Sequence, residues 1–266
     1  MRYVSKNMKK LTIFTAILIL LGFSSIISAQ EARYYDAPFG GGGGFTPGWI
    51  FPKFDELNTK IKQFGIPEFS NSGFFTTGGA GFIYLGFIKN LRVGGMGFGG
   101  SKSVSGSESF PDLLDKISNI NSVQYLINKE VDYSLGGGGV TIEYTLPFVR
   151  TFGISLGVVI GGGSMQIDVY QNTGSFSWNN LWDNLAAPQI NTHRTIKNNF
   201  WFFTPTVNVD IPFLRFMIFR IGGGYQLTFA NSWKIDNDIS FSDVPSALNG
   251  NSFYIQTGIF VGFFSL

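Results

Sequence analysis

Residues 201–229 read WFFTPTVNVDIPFLRFMIFRIGGGYQLTF. On both sides of a short turn at 212–215, large apolar residues alternate with small or polar ones. The apolar face comprises Trp201, Phe203, Val207, Val209, Ile211 and Phe213, then Met217, Phe219, Ile221, Tyr225 and Leu227. This period of two predicts β-strands, because successive side chains of a strand point to opposite faces. The stretch therefore predicts an antiparallel hairpin with one strongly apolar face.

Similar segments occur along the chain and predict eight strands, at 40–51, 73–88, 90–104, 131–148, 150–171, 195–213, 215–234 and 251–266. Their connections alternate in length. Long ones lie at 52–72, 105–130, 172–194 and 235–250, and short ones at 89–90, 147–150 and 212–215. Short periplasmic turns, long external loops and an even strand number are typical of bacterial outer-membrane barrels. The sequence therefore predicts an all-β, antiparallel up-and-down transmembrane barrel of about eight strands.

The composition excludes several classes of protein. Only 14% of the residues are charged, against about 25% in an ordinary soluble domain, and 29 Phe and 35 Gly are present. This composition argues against intrinsic disorder, because disorder requires low hydrophobicity and high charge. The absence of Cys excludes a disulfide scaffold, Cys-based zinc sites and thiol catalysis.

The N-terminus is predicted to be a signal peptide over residues 1–29, followed by a segment at 30–39 and the barrel domain at 40–266. A basic start precedes an apolar stretch that ends on the small residue Ala29. An uncleaved membrane anchor is the alternative. Cleavage removes four basic residues and leaves 15 basic against 17 acidic ones, so the net charge falls from +2 to about −2. The sequence that remains has no basic patch that would indicate a nucleic-acid partner.

After residue 29, no apolar run is long enough for a transmembrane helix. A closed β-barrel is the other structure that satisfies its backbone hydrogen bonds in lipid. We expect the apolar strand faces to contact lipid, because the opposite faces are mostly Gly, Ser, Thr, Asn and Gln, which suit a narrow interior. The predicted lipid-facing residues are Phe152, Ile154, Leu156, Val158, Phe203, Val207, Phe219, Ile221 and Tyr225.

The alternation slips within two strands. Val131, Tyr133 and Leu135 are out of phase with Val140, Ile142 and Tyr144, and Met165, Ile167 and Val169 are out of phase with Ile154, Val158 and Ile160. A β-bulge or glycine kink at 136–139 and at 161–163 would restore one apolar face along each strand. Segments 73–88 and 251–266 are apolar on both faces and receive no assignment.

Four charges fall on the predicted inner face, each near a short turn: Arg92, Glu143, Asp210 and Arg220. Two positive and two negative groups could neutralise one another inside a narrow barrel, where an unpaired charge would be costly. The pattern predicts an internal salt-bridge layer near the periplasmic end. A transport or proton pathway is the alternative.

Two of the long loops have helical patterns. Phe54, Leu57, Ile61 and Phe64 share one helix face, and so do Leu113, Ile117, Ile120 and Ile127. Each is expected to be a short amphipathic helix packed on its own loop or over the barrel mouth. A helix that binds a partner or the membrane interface is the alternative.

Motifs for chemistry are weak. His193 is the only histidine and has no distinctive companion motif, and the glycine spacing at 95–100 lacks the following helix of a nucleotide site. A calcium site at 236–238 would have too few evident ligands. We therefore predict no catalytic residue, no cofactor and no metal.

Taken together, the leader, the loop alternation, the strand pattern and the closing strand at 253–266 resemble the small eight-stranded bacterial outer-membrane β-barrel proteins. The resemblance covers residues 40–266 and implies the outer membrane of a diderm bacterium, with membrane lipid as a partner. It also implies that the barrel-assembly machinery reads the last strand. Such strands usually end on an aromatic residue, whereas this one ends on Leu266, with Phe264 two positions earlier.

The leading hypothesis is a non-enzymatic outer-membrane barrel with a structural or surface-recognition role through its long loops. One alternative is a small porin or hydrophobic-ligand transporter, which would need ten strands or an open lumen. The other is a secreted soluble β-sandwich or adhesin domain. The ligand is not identified by the sequence.

Overall fold

The computed structural model describes residues 40–111, 124–147, 152–172, 191–229, 233–236 and 238–264. The predicted signal peptide, the segment 30–39, most of the second predicted helix and Leu266 lie outside these residues. The described strands are β1 (Gly40–Phe45), β2 (Gly48–Pro52), β3 (Phe74–Tyr84), β4 (Leu91–Pro111), β5 (Gln124–Thr145), β6 (Gly153–Asn172), β7 (Thr192–Leu214), β8 (Met217–Phe229), β9 (Trp233–Ile235), β10 (Ile239–Ser240) and β11 (Ser252–Phe264), and the described helix is α1 (Asp55–Phe64).

The strands close into an antiparallel ring of eight. β1 and β2 both pair with β3 and β11, so together they act as one strand interrupted at Thr46 and Pro47. The interruption falls where Pro47 has no N–H to donate to the ladder. The ring continues in chain order through β8 and closes when β11 pairs with β8. The predicted fold class and strand number are confirmed.

The predicted bulges at 136–139 and 161–163 are wrong. β5 pairs with β6 in unbroken register from Asn128–Asn172 to Thr145–Ser155. The two faces instead exchange character along the strand. Tyr133 and Leu135 point inward and are buried, while Val140 and Ile142 point outward.

This exchange occurs because the long-loop ends of β4 to β7 extend past the apolar exterior. Outward side chains there are polar, as at Ser103 on β4 and Lys197 on β7. The interior at that end is apolar, and its core includes Tyr133, Met165 and Phe200. The interior at the short-turn end combines buried charged and polar side chains with a smaller apolar cluster that includes Phe82 and Phe260.

The loop predicted at 105–130 is shorter than expected. β4 and β5 pair without interruption as far as Pro111 and Gln124. The Ser- and Gly-rich end of β4 gave a loop signal because its outward Ser105 and Ser107 face water. Ile127 lies in β5, which corrects its assignment to the second helix; Leu113, Ile117 and Ile120 lie outside the described residues.

The predicted helix α1 forms and covers the barrel mouth, one of the two placements expected for it. Its first turn carries Asp55 and Glu56, which suit the positive end of the helix dipole, and it ends at Gly65 in the left-handed conformation, with φ 85°. Leu57 and Ile61 are buried in the apolar core at the long-loop end, which we call the upper core. Asn58 fastens the following loop, because its side chain donates to the carbonyl of Phe69 at 2.9 Å and accepts from the Phe69 N–H at 2.8 Å. No helix in the described part of the chain is long and apolar enough to cross a membrane.

Candidate functional site

The four predicted inner charges are held as two cross-strand pairs. Arg92 on β4 lies directly opposite Glu143 on β5, and Arg220 on β8 lies opposite Asp210 on β7. The Arg92 Nε donates to Glu143 Oε2 at 2.5 Å. The Arg220 guanidinium makes two bonds to Asp210, at 2.6 and 2.9 Å. Two bonds between one guanidinium and one carboxylate form a stronger contact than a single charge-assisted hydrogen bond.

The two pairs are joined across the lumen into one alternating cycle. Arg92 Nη1 donates to Asp210 Oδ2 at 2.5 Å, and Arg220 Nη1 lies 3.6 Å from Glu143 Oε1. The exposed fractions are 0% for Arg92, 5% for Glu143, 1% for Asp210 and 3% for Arg220. Equal numbers of opposite charges at this depth offset the cost of removing each from water.

Neutral side chains complete the hydrogen bonding of the cycle. Arg92 Nη2 donates to the Ser155 hydroxyl at 2.6 Å, and Asn208 Nδ2 donates to Glu143 Oε1 at 3.0 Å. Gln256 Nε2 lies 3.5 Å from Asn208 Oδ1. Sequence reasoning missed these residues as members of the site, although Ser155 and Asn208 fall on the predicted inner face. We call these seven residues (Arg92, Glu143, Ser155, Asn208, Asp210, Arg220, Gln256) the charge layer.

An aromatic cluster packs against the two guanidinium groups. The Arg92 Cζ lies 4.5 Å from the ring centre of Phe82, and the Arg220 Cζ lies 5.0 Å from Phe82 and 4.5 Å from Phe260. Phe82 and Phe260 belong to a buried cluster with Tyr84, Ile218 and Phe264. Stacking of cations on desolvated ring faces is worth up to about 2 kcal/mol each. β3 and β11, which the sequence left unassigned, supply most of this cluster.

Little free volume remains between the charge layer and the upper apolar core. The cavity between them, bordered by Gln226, Tyr254 and Gln256, has a volume of about 20 Å³. That is space for about one water molecule. The described side chains therefore fill this part of the lumen.

Outward side chains form an apolar belt around the barrel. All nine predicted lipid-facing residues lie on the outer face, with Leu156, Val207 and Ile221 close to half exposed. Aromatic residues are strongly exposed at both ends of the belt, including Trp201 at 72% and Phe263 at 89%. Trp233, in β9, instead packs against the apolar core at the long-loop end.

The other sequence motifs considered for ligand or metal binding lie within a strand or in ion pairs. Gly95 to Gly100 lie within strand β4, which leaves no loop to cradle a phosphate. Asp236 pairs with Arg194, and Asp238 lies 3.6 Å from Lys234. Within the described ranges, no group of three or more His, Asp or Glu residues could hold a metal ion.

His193 belongs to a polar cluster on the outer face beyond the apolar belt. Its ring stacks on Tyr170 at 4.4 Å, and its Nε2 lies 3.4 Å from Asp168 Oδ1. The Thr195 hydroxyl donates to the same carboxylate at 2.6 Å. Burial acts to raise the pKa of Asp168, but hydrogen bonds from Thr195, Gln166 and His193 outweigh it and lower the pKa below its usual value.

No protein-family model matches the chain, and no curated protein sequence is significantly similar to it. Among solved structures, the chain is similar to a major outer membrane protein from Thermus thermophilus, with a TM-score of 0.45 and 9% identity over 84% of this chain and 99% of that chain. It is also similar to Ail, the attachment invasion locus protein of Yersinia pestis, with a TM-score of 0.38 and 8% identity over 85% of this chain and 99% of that chain. Because these scores and identities are low, the fold is assigned from the strand ring itself.

A closed antiparallel ring with an apolar exterior belt, aromatic residues at the belt edges and a polar lower interior has the architecture of a transmembrane β-barrel. The chain folds as such a barrel. Bacterial barrels of this kind occupy the outer membrane, with their long loops outside the cell and their short turns in the periplasm.

Proposed function

We propose that this protein is a non-enzymatic outer-membrane barrel with a sealed lumen, and that its long-loop end serves recognition at the cell surface. The charge layer is the observation that carries the proposal. It spans the lumen from β4 to β7 and lies against the aromatic cluster of Phe82 and Phe260. A solute would have to break several charge-assisted bonds to pass.

The upper half of the barrel adds a second obstacle. Tyr133, Met165 and Phe202 meet in an apolar core, which Phe54 and helix α1 cover. Among these side chains a hydrated ion would meet a single polar group, the Tyr133 hydroxyl, so its desolvation would be costly. Together the two layers favour a structural or recognition role over the porin alternative.

Conductance in planar lipid bilayers tests the sealed lumen. The wild-type protein, with insertion verified by heat-modifiable gel mobility, is expected to give no steady channel steps. Replacing both Arg92 and Asp210 by Ser should remove the direct link across the lumen and permit small, intermittent openings. Steady ohmic steps from the wild-type protein would instead support the small-porin alternative.

Membrane fractionation tests the soluble alternative. The apolar belt predicts recovery in the membrane fraction and release only by detergent. Recovery in the aqueous phase without detergent would contradict the barrel proposal and favour a secreted β-sandwich.

We also propose that β11 is the strand through which the barrel-assembly machinery inserts the protein. Its outward face is an alternating apolar row that includes Phe253, Ile259 and Phe263. Phe263→Ser is expected to reduce the heat-modifiable, folded fraction in cells, while Ser107→Ala, at an exposed position of β4, should not. Equal folded fractions for the two variants would argue against a role for this row.

A further inference from the structure

We infer that the long-loop end contains a binding site for an uncharged, apolar small molecule. The site is a cavity of about 340 Å³ between helix α1 and the segment 241–248, and its floor is the inner face of β5, β6 and β7. The inference extends the proposed surface-recognition function by naming a ligand class. It rests on the proposal that the long-loop end lies outside the cell.

This cavity is much larger than the one inside the lumen above the charge layer. The cavity above the charge layer has a volume of only about 20 Å³, so the side chains that line it are closely fitted. At the mouth, Trp233 and Phe241 form walls, and the space between them and α1 is not filled by the described side chains. Ligand pockets for drug-sized molecules have volumes of about 300–1,000 Å³, so this one falls within their range.

The lining indicates what kind of molecule would fit. Twelve of its fifteen residues are apolar, among them Ile61, Ile167, Val169 and Leu248. A polar ligand would lose its hydrogen bonds to water against these walls without replacing them. Burial of a hydrocarbon or aromatic skeleton against them would be favourable.

The charged residues of the site argue against an anionic ligand. Glu56, Lys60 and Asp243 border the cavity, and their side chains are exposed, which places them at its rim. Two carboxylates and one ammonium group make the rim negative rather than positive. A fatty-acid carboxylate would meet more repulsion than attraction there, whereas an uncharged molecule would not.

The site need not lead into the lumen. The apolar core of Tyr133 and Phe202 lies below it, and the charge layer lies lower still. The cavity is therefore a site for capture at the cell surface, and release would occur through the same mouth.

Fluorescence of N-phenylnaphthylamine, an uncharged apolar probe, tests the site in the full-length protein in lipid nanodiscs. Saturable binding beyond that of empty nanodiscs is expected. Val169→Trp places a large ring in the cavity and should weaken binding at least tenfold. Ser164→Trp, on the outward face of the same strand, is the matched control and should bind like the wild-type protein.

Leu248→Trp fills the cavity from the opposite wall and provides a second test if Val169→Trp folds poorly. Anilinonaphthalene sulfonate, an anionic probe, should bind at least tenfold more weakly than the uncharged probe. No saturable signal from the folded wild-type protein, unchanged binding by both filled variants, or equal binding of the anionic probe would overturn the inference. Such a result with a non-conducting, membrane-inserted protein would leave the proposed sealed barrel intact.

Discussion

Arg92 on β4 and Asp210 on β7 are joined across the lumen by a 2.5 Å hydrogen bond, although they are 118 positions apart in the chain. Each also pairs with a neighbour on the adjacent strand, so the bond converts two local ion pairs into one layer. This link ties opposite walls of the barrel together.

Removal of one member of the layer should destabilise the barrel strongly. Asp210→Ala leaves Arg92 and Arg220 without their shared carboxylate, and loss of one partner from a buried pair costs about 3–5 kcal/mol. Urea unfolding in lipid vesicles measures this loss. Glu68→Ala is the control, because the exposed Lys62–Glu68 pair, at 3.9 Å, should contribute at most about 1 kcal/mol. Similar losses for the two variants would show that the layer is not coupled.

A double-mutant cycle separates the cross-lumen bond from its neighbours. Arg92→Ala, Asp210→Ala and the double variant should give a coupling free energy of about 0.5–3 kcal/mol, since contacting residues are not additive. Glu143→Leu should also change the unfolding transition, because it removes the acceptor of Arg92 Nε. Additive effects at positions 92 and 210 would mean that the two residues act independently.

Two glycines of β4 should respond in opposite ways to the same substitution. A Cβ at Gly94 would lie 2.0 Å from the carbonyl oxygen of Gly81, whereas a Cβ at Gly97 would have its nearest neighbour, the Gly137 oxygen, at 3.7 Å. Gly94→Ala should cost about 1–3 kcal/mol through overpacking. Gly97→Ala should be neutral or stabilising by up to about 1 kcal/mol, because it restricts the unfolded chain. Urea unfolding in vesicles compares them, and equal losses would contradict the inward and outward assignment.

Acid should weaken the outer ends of β6 and β7 only at low pH. The folded-state pKa of Asp168 is lowered from its ordinary value of 3.8, so its contribution to stability is complete above that value and is lost as the pH falls through the lower folded pKa. Amide hydrogen exchange near Thr195 should stay constant from neutral pH to about 4 and increase below it, after correction for intrinsic exchange rates. Asp168→Asn should remove this acid step. Loss of protection between pH 5 and 7 would show that the hydrogen bonds do not stabilise the carboxylate.

The sequence predicted much of this fold because few patterns in the chain compete with the strand period of two. The large outward residues of β7, such as Trp201 and Val207, are opposed by Thr and Asn, which indicates both a strand and its two faces. Arg92 and Asp210 were recognisable as a site because charge is scarce in this chain. Helix α1 was recognisable from the spacing of Leu57 and Ile61.

Other features depend on tertiary context that no local pattern contains. Tyr133 and Leu135 suggested a bulge because one apolar face was expected to run the full strand. They point inward instead, since the strand leaves the apolar belt and the loops above supply a core. Phe82 and Phe260 could not be assigned because apolar residues flank them on both faces, and their cation contacts arise only when the ring closes.

Spin-label accessibility tests most directly whether the apolar belt lies in lipid. The chain has no Cys, so single-Cys variants can be labelled without background. Leu156→Cys and Val207→Cys should be accessible to oxygen and protected from a water-soluble nickel chelate, whereas Ser103→Cys, beyond the belt, should be accessible to the chelate. Equal chelate accessibility at all three positions, in folded protein reconstituted in vesicles, would contradict the transmembrane barrel.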